Sequence, residues 1–178
     1  NLDSILADTP IPLDFDFLSI DIDGNDYHVW KAMDRYKPKL ICVEYNPTIP
    51  TEVNFVQAAD MRVNHGASVF ALAELGREKG YELVSVLPFN AFFVRRELYP
   101  LFEIEDNLPG RLRLHNGVIT YLFSGYDGTL FVRGHGKLNW HDMEIDEKKI
   151  QVLPKYLRKY PLNYNRFEKF LFELIFKK

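Results

Sequence analysis

The sequence predicts an α/β fold in which helices flank a mixed sheet. Two apolar runs, residues 16–22 and residues 39–45, have the composition of buried strands. The segment between them carries apolar residues at helical spacing, and Asn25 or Asp26 can cap its start. This strand–helix–strand order is typical of a right-handed parallel crossover, the unit from which α/β sheets are built.

The residues within and next to each of these first elements support its assignment. The first strand is apolar enough to predict a central position in its sheet. The helix is predicted to end at Lys37-Pro38, because a residue that precedes proline disfavours helical geometry. The second strand is β-branched and is closed by Asn46-Pro47, a turn-forming pair.

The next segment predicts a loop, a helix and two more strands. The connection over residues 47–66 is long for a compact domain, and loops of this length are usually binding loops or lids. Ser68 is predicted to cap a helix that ends near Gly80. Residues 81–87 and 91–95 predict strands, and the short link between them favours an antiparallel pair.

Beyond residue 97 the pattern is less regular. An Asp127-Gly128 turn leads into a short strand, and residues 164–176 have the spacing of an amphipathic helix. We therefore expect a body over residues 1–147 and a basic, aromatic, helical extension over residues 148–178. This extension is expected to pack on the body or on a partner.

Composition and charge narrow the class of protein. The 178 residues are 15% aromatic, which argues against disorder, and net charge is −3. From Lys148 onward nine basic residues face two acidic ones, a net charge of +7 against −10 for the rest. The single Cys42 lies in an apolar run and predicts a core residue in a reducing compartment, so we expect a cytoplasmic protein. No apolar stretch is long enough to span a membrane.

The strongest chemical signal is the pair Asp21 and Asp23. Both follow the first strand and share one face at its carboxyl end, the edge where α/β sheets bind ligands. Two adjacent carboxylates repel each other unless a cation, a donor or a shared proton compensates. The alternative is that both only cap the next helix or face water. A calcium loop is excluded, since its sixth and twelfth positions would be Asp26 and Ala32.

A phosphohydrolase is a second interpretation of this segment. Haloacid-dehalogenase-type enzymes have an apolar strand that ends in Asp-x-Asp-Gly, which would make Asp21 the nucleophile and Asp23 the general acid, with magnesium between them. That family also needs a late strand that ends in paired acids. The later strands here end at Leu87-Pro88 and Arg95-Arg96 instead.

A larger part of the chain resembles the FkbM-type S-adenosylmethionine-dependent methyltransferases. The strongest matching segments are Leu18-Ser-Ile-Asp-Ile-Asp-Gly-Asn-Asp-Tyr-His-Val-Trp-Lys-Ala32 and Pro38-Lys-Leu-Ile-Cys-Val-Glu-Tyr-Asn-Pro47. Weaker ones cover residues 66–81, 90–96, 126–130 and 139–141. The resemblance implies a three-layer Rossmann-like half-sheet made of strands four to seven, the last antiparallel, with an irregular, partly helical C-terminal extension.

The resemblance also implies a reaction and its participants. S-adenosylmethionine would donate a methyl group to a hydroxyl of a small-molecule acceptor such as a sugar or other secondary metabolite. Family members hold this cofactor with a glycine-rich loop, and no such loop precedes the first strand here. We therefore expect a C-terminal portion of a larger fold, inactive alone, with its cofactor residues upstream of residue 1. An exposed sheet edge would then favour self-association.

Six side chains are the predicted site. Asp21 and Asp23 are the catalytic candidates: one is the base, or both hold a divalent cation that acidifies the hydroxyl. Four others are candidate acceptor-binding residues: Asn25, Glu44, Asn46 and His65. Glu44 and Asn46 have structural alternatives, a strand-end hydrogen bond and a turn before proline. The basic tail offers a non-enzymatic alternative, an interaction module for a membrane surface; no nucleic-acid partner is predicted.

Overall fold

A computed structural model describes residues 2–177 of the chain. The chain divides into two compact units, Asn1–Ile119 and Thr120–Lys178. Each unit is described by itself below. The division at residues 147 and 148 expected from the charge pattern stays a prediction.

The first unit contains a four-stranded mixed sheet. Its strands are β1 (Phe17–Ile20), β2 (Leu40–Glu44), β3 (Tyr81–Val86) and β4 (Asn90–Arg95). The strand order is β1-β2-β4-β3. Strands β1 and β2 are parallel, whereas β4 is antiparallel to both of its neighbours. The predicted α/β class and the antiparallel β3–β4 pair are confirmed.

Four α-helices belong to this unit. They are α1 (Leu2–Ala7), α2 (Asp26–Ala32), α3 (Val69–Glu78) and α4 (Pro109–Leu112). The predicted cap of α3 is confirmed, because the Ser68 hydroxyl accepts a hydrogen bond of 3.1 Å from the Ala71 amide. Gly80 follows this helix with φ +83°, a left-handed conformation that glycine adopts without strain.

An aromatic cluster forms the centre of the core. The Trp30 ring of α2 lies 4.7 Å from the Phe93 ring of β4 and 5.9 Å from the Tyr81 ring of β3. Trp30 and Phe93 are fully buried, and so is Ile41 of β2. Each large apolar side chain removed from water in this way contributes about 1.5–3 kcal/mol to the free energy of unfolding. Cys42 is also buried, as predicted.

One prediction about this sheet is wrong. The first strand was expected at a central position, but β1 lies at the edge of the sheet and pairs only with β2. Its first residue, Phe17, is 50% exposed, and Ile22 beyond its end is 40% exposed. An apolar composition indicates that burial of a strand would be favourable. It does not determine whether a neighbouring strand is present to bury it.

The described residues of the second unit include two small hairpins, an α-helix and three short 3-10 helices. Strands β5 (Thr120–Ser124) and β6 (Leu130–Gly134) form the first hairpin, and β7 (Lys137–Leu138) and β8 (Met143–Glu144) form the second. Helix α5 covers Arg166–Phe176. The predicted Asp127-Gly128 turn is confirmed, with Gly128 at φ +80°. Among residues 2–177, no helix has the length and apolar character to cross a membrane.

Candidate active site

Three carboxylates meet where the two parallel strands end. Ile20 pairs with Val43 across the β1–β2 ladder, so the next residues, Asp21 and Glu44, lie side by side. Asp21, Asp23 and Glu44 each offer a carboxylate oxygen, and these atoms all lie within 4.8 Å of one another. Asp21 and Asp23 are exposed and Glu44 is half-buried. The structure thus brings together the two predicted catalytic acids and one predicted acceptor-binding residue.

A buried carboxylate shapes the turn that carries the two aspartates. Asp26 is 3% exposed and accepts hydrogen bonds of 2.9 Å from the backbone amides of Ile22 and Gly24. The chain reverses through Asp23 at φ +57° and Gly24 at φ +143°. Asn25 occupies the first cap position of α2, but its side chain makes no capping hydrogen bond. The capping role predicted for Asn25 or Asp26 is therefore replaced by a hydrogen-bonded turn.

The environment of Glu44 changes its acidity. The pKa of Glu44 is raised to about 7, first by burial and then by the negative charges of Asp21, Asp26 and Asp23, in that order of effect. A hydrogen bond from the Asp23 backbone acts in the opposite direction. Glu44 is therefore partly protonated at neutral pH. A carboxyl group poised in this way can accept or release a proton under physiological conditions.

Residues 57–66 of the long connection close over the acidic turn, and Gln57 organises them. Gln57 is 3% exposed. Its Oε1 accepts hydrogen bonds of 2.7 Å from the amides of His65 and Gly66, and its Nε2 donates to the Val63 carbonyl at 2.8 Å. Both polar atoms of this buried carboxamide are hydrogen-bonded to the loop, so Gln57 helps to hold the loop in one conformation.

Three further hydrogen bonds join this loop to the acidic turn and to α2. Asn64 Nδ2 donates to the Asp23 carbonyl at 2.8 Å, and Asn25 Nδ2 donates to the Asp60 carbonyl at 3.2 Å. The His28 ring lies with Nε2 2.8 Å from the Gln57 carbonyl oxygen. His28 is half-buried. The long connection is therefore an ordered wall of the site.

Asn46 joins the end of β2 to the end of the loop. Its Nδ2 donates to the His65 carbonyl at 2.8 Å, and its Oδ1 accepts from the amide and hydroxyl of Thr48. The turn role considered for Asn46 is thus present in the structure. The His65 main chain is held on both sides, by Asn46 and Gln57, while its side chain is exposed.

A buried arginine holds the start of the long connection. Arg113 is 3% exposed and lies 5.3 Å above the Tyr45 ring. Its guanidinium donates to the carbonyls of Pro47 and Ile49 and to the Thr51 hydroxyl. These acceptors directly follow the site residues of β2. Arg113 therefore joins a segment distant in sequence to the carboxyl end of β2.

Arg95 and Arg96 lie away from the site. Because β4 is antiparallel to β2, its last residues neighbour the start of β2, while Asn90 pairs with Glu44. Arg95 and Arg96 form ion pairs with Glu97 and Glu82 at 3.0 and 2.8 Å. Both arginines therefore lie near the start of β2, not at its carboxyl end beside the acidic turn.

Sequence reasoning missed three residues that build the site. Gln57 and Arg113 lie in irregular segments, where no periodicity indicates burial. Asp26 was considered as a helix cap, because Asn and Asp before a helix most often have that role. A polar residue in a long loop after a strand gives little indication that it is buried or that it supports a site. Only its contacts in the structure reveal that role.

The donor atoms of the site determine which metal or cofactor it could hold. The three clustered carboxylates are suitable donors for a divalent cation, but no other observation points to one. No Gly-x-Gly loop follows any of the strands β1 to β4 of the described first unit. The Gly134-His135-Gly136 sequence lies at the end of β6, in a small antiparallel hairpin of the second unit, so we assign no residue to S-adenosylmethionine.

Comparison with protein families gave one match. Residues 1–83 match the model of the methyltransferase FkbM domain. This segment contains the acidic turn, β2, the whole long connection and α3. Comparison with curated proteins and with solved structures gave no match. The family resemblance is thereby confirmed, and residues 1–83 of this chain carry the pattern of an FkbM methyltransferase domain.

Proposed function

We propose that the chain forms the acceptor side of an S-adenosylmethionine-dependent O-methyltransferase. In this proposal Glu44 takes the proton from the acceptor hydroxyl. Asp21 and Asp23 bind the acceptor and keep Glu44 basic. The acceptor is a small molecule with several hydroxyl groups, such as a sugar, because carboxylate oxygens are strong hydrogen-bond acceptors for such groups.

The observation that carries this proposal is the position of a half-buried carboxyl group beside two exposed ones. Asp21 and Asp23 are exposed and can be reached by an acceptor, and the half-buried Glu44 lies beside them at the end of β2. A pKa of about 7 suits Glu44 to take a proton at neutral pH. A carboxylate with an ordinary pKa would be a much weaker base.

The chemistry requires alignment and a proton acceptor. Bound S-adenosylmethionine would supply an electrophilic methyl group for an in-line displacement. The acceptor oxygen becomes a better nucleophile as its proton moves to a Glu44 carboxylate oxygen. Loop residues 57–66, held by Gln57, support the turn that carries Asp21 and Asp23.

We also propose that the sheet is half of a Rossmann-like methyltransferase sheet. Three features support this: β1 and β2 are parallel with α2 between them, α3 precedes β3, and the last strand is reversed. They correspond to strands four to seven with the last antiparallel. The free edge of β1 is where a further strand or a second copy would pair. A reducing compartment such as the cytoplasm suits the free, buried Cys42.

The proposal is tested by methyl transfer with the full-length gene product. Methyl-labelled S-adenosylmethionine and a panel of polyhydroxylated acceptors should yield label in an alkali-stable ether. Glu44→Gln should lower kcat by about 10²-fold or more, the usual contribution of a general base. Glu52→Gln, an exposed glutamate in the adjoining connection, is the matched control and should leave kcat unchanged.

Four results would contradict this assignment. Alkali-labile label would indicate a carboxyl acceptor, and unchanged turnover in Glu44→Gln would remove the proposed base. Magnesium-dependent phosphate release from a generic ester, abolished by Asp21→Asn, would favour the phosphohydrolase. Calorimetric titration of S-adenosylmethionine into the present chain should show little binding, and tight binding would place the cofactor residues within it.

A further inference from the structure

Helix α5 presents a mostly exposed apolar stripe within the second unit. We call this stripe the α5 face; it consists of Phe167, Phe170, Leu171 and Leu174, spaced i, i+3, i+4 and i+7. Phe167, Phe170 and Leu174 are 68%, 59% and 69% exposed, and no described residue of the helix is buried.

The helix is nevertheless well defined. Asn165 and Glu168 form a complete capping box at its start, with hydrogen bonds of 2.9 and 3.0 Å. On the side away from the α5 face, the Phe172 ring packs 5.7 Å from Tyr164 and 5.5 Å from Phe176. The helix therefore has one apolar side that is already packed and a second that is free.

The segment that carries the α5 face is strongly basic. Residues from Lys148 to the end of the chain carry a net charge of +7. Within residues 148–177, only Lys159 and Lys177 pair with carboxylates. The others have no carboxylate within ion-pair distance: Lys148, Lys149, Lys155, Arg158, Arg166 and Lys169. On α5 itself, helical spacing places Arg166 next to the apolar stripe, whereas Lys169 lies on the opposite side, with Phe172.

We propose that the α5 face docks on an anionic lipid surface. Exposed Phe and Leu side chains on one side of a short helix, flanked by Lys and Arg, are the pattern of helices that lie in the membrane interface. The aromatic and leucine side chains would enter the acyl boundary. The unpaired cations would meet the lipid phosphates.

Charge favours an anionic lipid surface over a second copy of the chain or nucleic acid as the partner of the α5 face. A second copy placed on the α5 face would bring two tails of +7 together, and the repulsion would oppose association. Nucleic acid would satisfy the cations but would leave the apolar stripe in water. An anionic bilayer satisfies both, because its surface is negative and its interior is apolar.

Vesicle sedimentation of the full chain tests the proposal. The protein should sediment with phosphatidylcholine vesicles that contain about one third phosphatidylserine, and about 0.5 M salt should release it. Replacing the three exposed residues, Phe167→Ser with Phe170→Ser and Leu174→Ser, should weaken binding about tenfold or more. Leu122→Ser on β5, a site 61% exposed in the same unit, is the matched control and should bind like the unaltered protein.

The contrary outcomes are distinct. Absence of sedimentation at low salt, or equal sedimentation with pure phosphatidylcholine, would overturn the proposal. A dimer that the triple variant dissociates, without vesicle binding, would assign the α5 face to a second copy. Binding to duplex DNA that the triple variant retains, without vesicle binding, would assign the tail to nucleic acid. Circular dichroism of the triple variant should match that of the unaltered chain, since all three positions are exposed.

Discussion

The carboxamide of Gln57 lies directly against Gly24: a Cβ atom built on Gly24 would come within 2.8 Å of Gln57 Oε1. The same Cβ would lie 3.1 Å from the Asn64 Cα and 3.2 Å from the Val63 carbonyl oxygen. Gly24 is thus required for two reasons, since its φ of +143° also disfavours any side chain. The loop over residues 57–66 and the acidic turn can pack together only because this position lacks a side chain.

Gly24→Ala should therefore destabilise the first unit by about 2–4 kcal/mol, because backbone strain and steric conflict act together. Gly80→Ala separates the two effects, since Gly80 has φ +83° but open space around its Cβ position. It should cost only about 1–2 kcal/mol. Denaturant unfolding measures both changes, and equal losses would show that Gln57 does not constrain Gly24.

Asp26→Asn should destabilise the acidic turn. Asp26 uses both carboxylate oxygens to accept from Ile22 and Gly24, and an asparagine can supply only one acceptor oxygen. The amide left unpaired in the buried site should cost about 1–3 kcal/mol. Asp14→Asn at an exposed position is the control and should change the free energy of unfolding by less than about 0.5 kcal/mol. A loss no larger than that of the control would contradict the role of Asp26.

Glu44 should make stability depend on pH. Its pKa is raised from 4.5 to about 7 in the folded state, so the folded protein binds more protons than the unfolded one between these values. The free energy of unfolding should consequently fall as pH rises from about 4.5 to 7. Glu44→Gln removes this dependence and should be more stable than the unaltered protein at pH 8, by about 1 kcal/mol after solvent screening.

Denaturant unfolding across that pH range is the measurement for Glu44. Glu52→Gln should keep the slope of the unaltered protein, since Glu52 is exposed. Asp21→Asn should reduce the slope, because the negative charge of Asp21 contributes to the raised pKa of Glu44. A Glu44→Gln variant whose slope matches that of the unaltered protein would refute the shift.

Arg113→Lys should not preserve stability, although it keeps the charge. The guanidinium reaches three oxygen acceptors at Pro47, Ile49 and Thr51, and an ammonium cannot span that set. We expect a loss of about 2–4 kcal/mol, since a buried cation would be left with unpaired groups. Arg111→Lys, at a residue whose side chain is 76% exposed, should be nearly neutral. Equal stability of the two variants would show that the Arg113 contacts contribute little.

Several elements could be predicted because their causes are local. The cap at Ser68, the left-handed Gly80 and the short β3–β4 link depend on residues a few positions apart. The acidic pair after β1 could be located because both aspartates adjoin the strand in the sequence. The turn through Asp23 at φ +57°, and not alternation along the strand, brings their carboxylates together. The family match over residues 1–83 adds a general methyltransferase assignment to this local pattern.

Taken alone, the sequence determined the α/β class, the parallel crossover and the candidate residues Asp21, Asp23 and Glu44. Only the tertiary structure decided that β1 is an edge strand, that Gln57 packs on Gly24 and that Arg113 reaches Pro47 across 66 residues. The reason is physical: periodicity and capping act between near neighbours in the chain. Burial, the pKa of Glu44 and the order of the long loop depend on groups that only folding brings together.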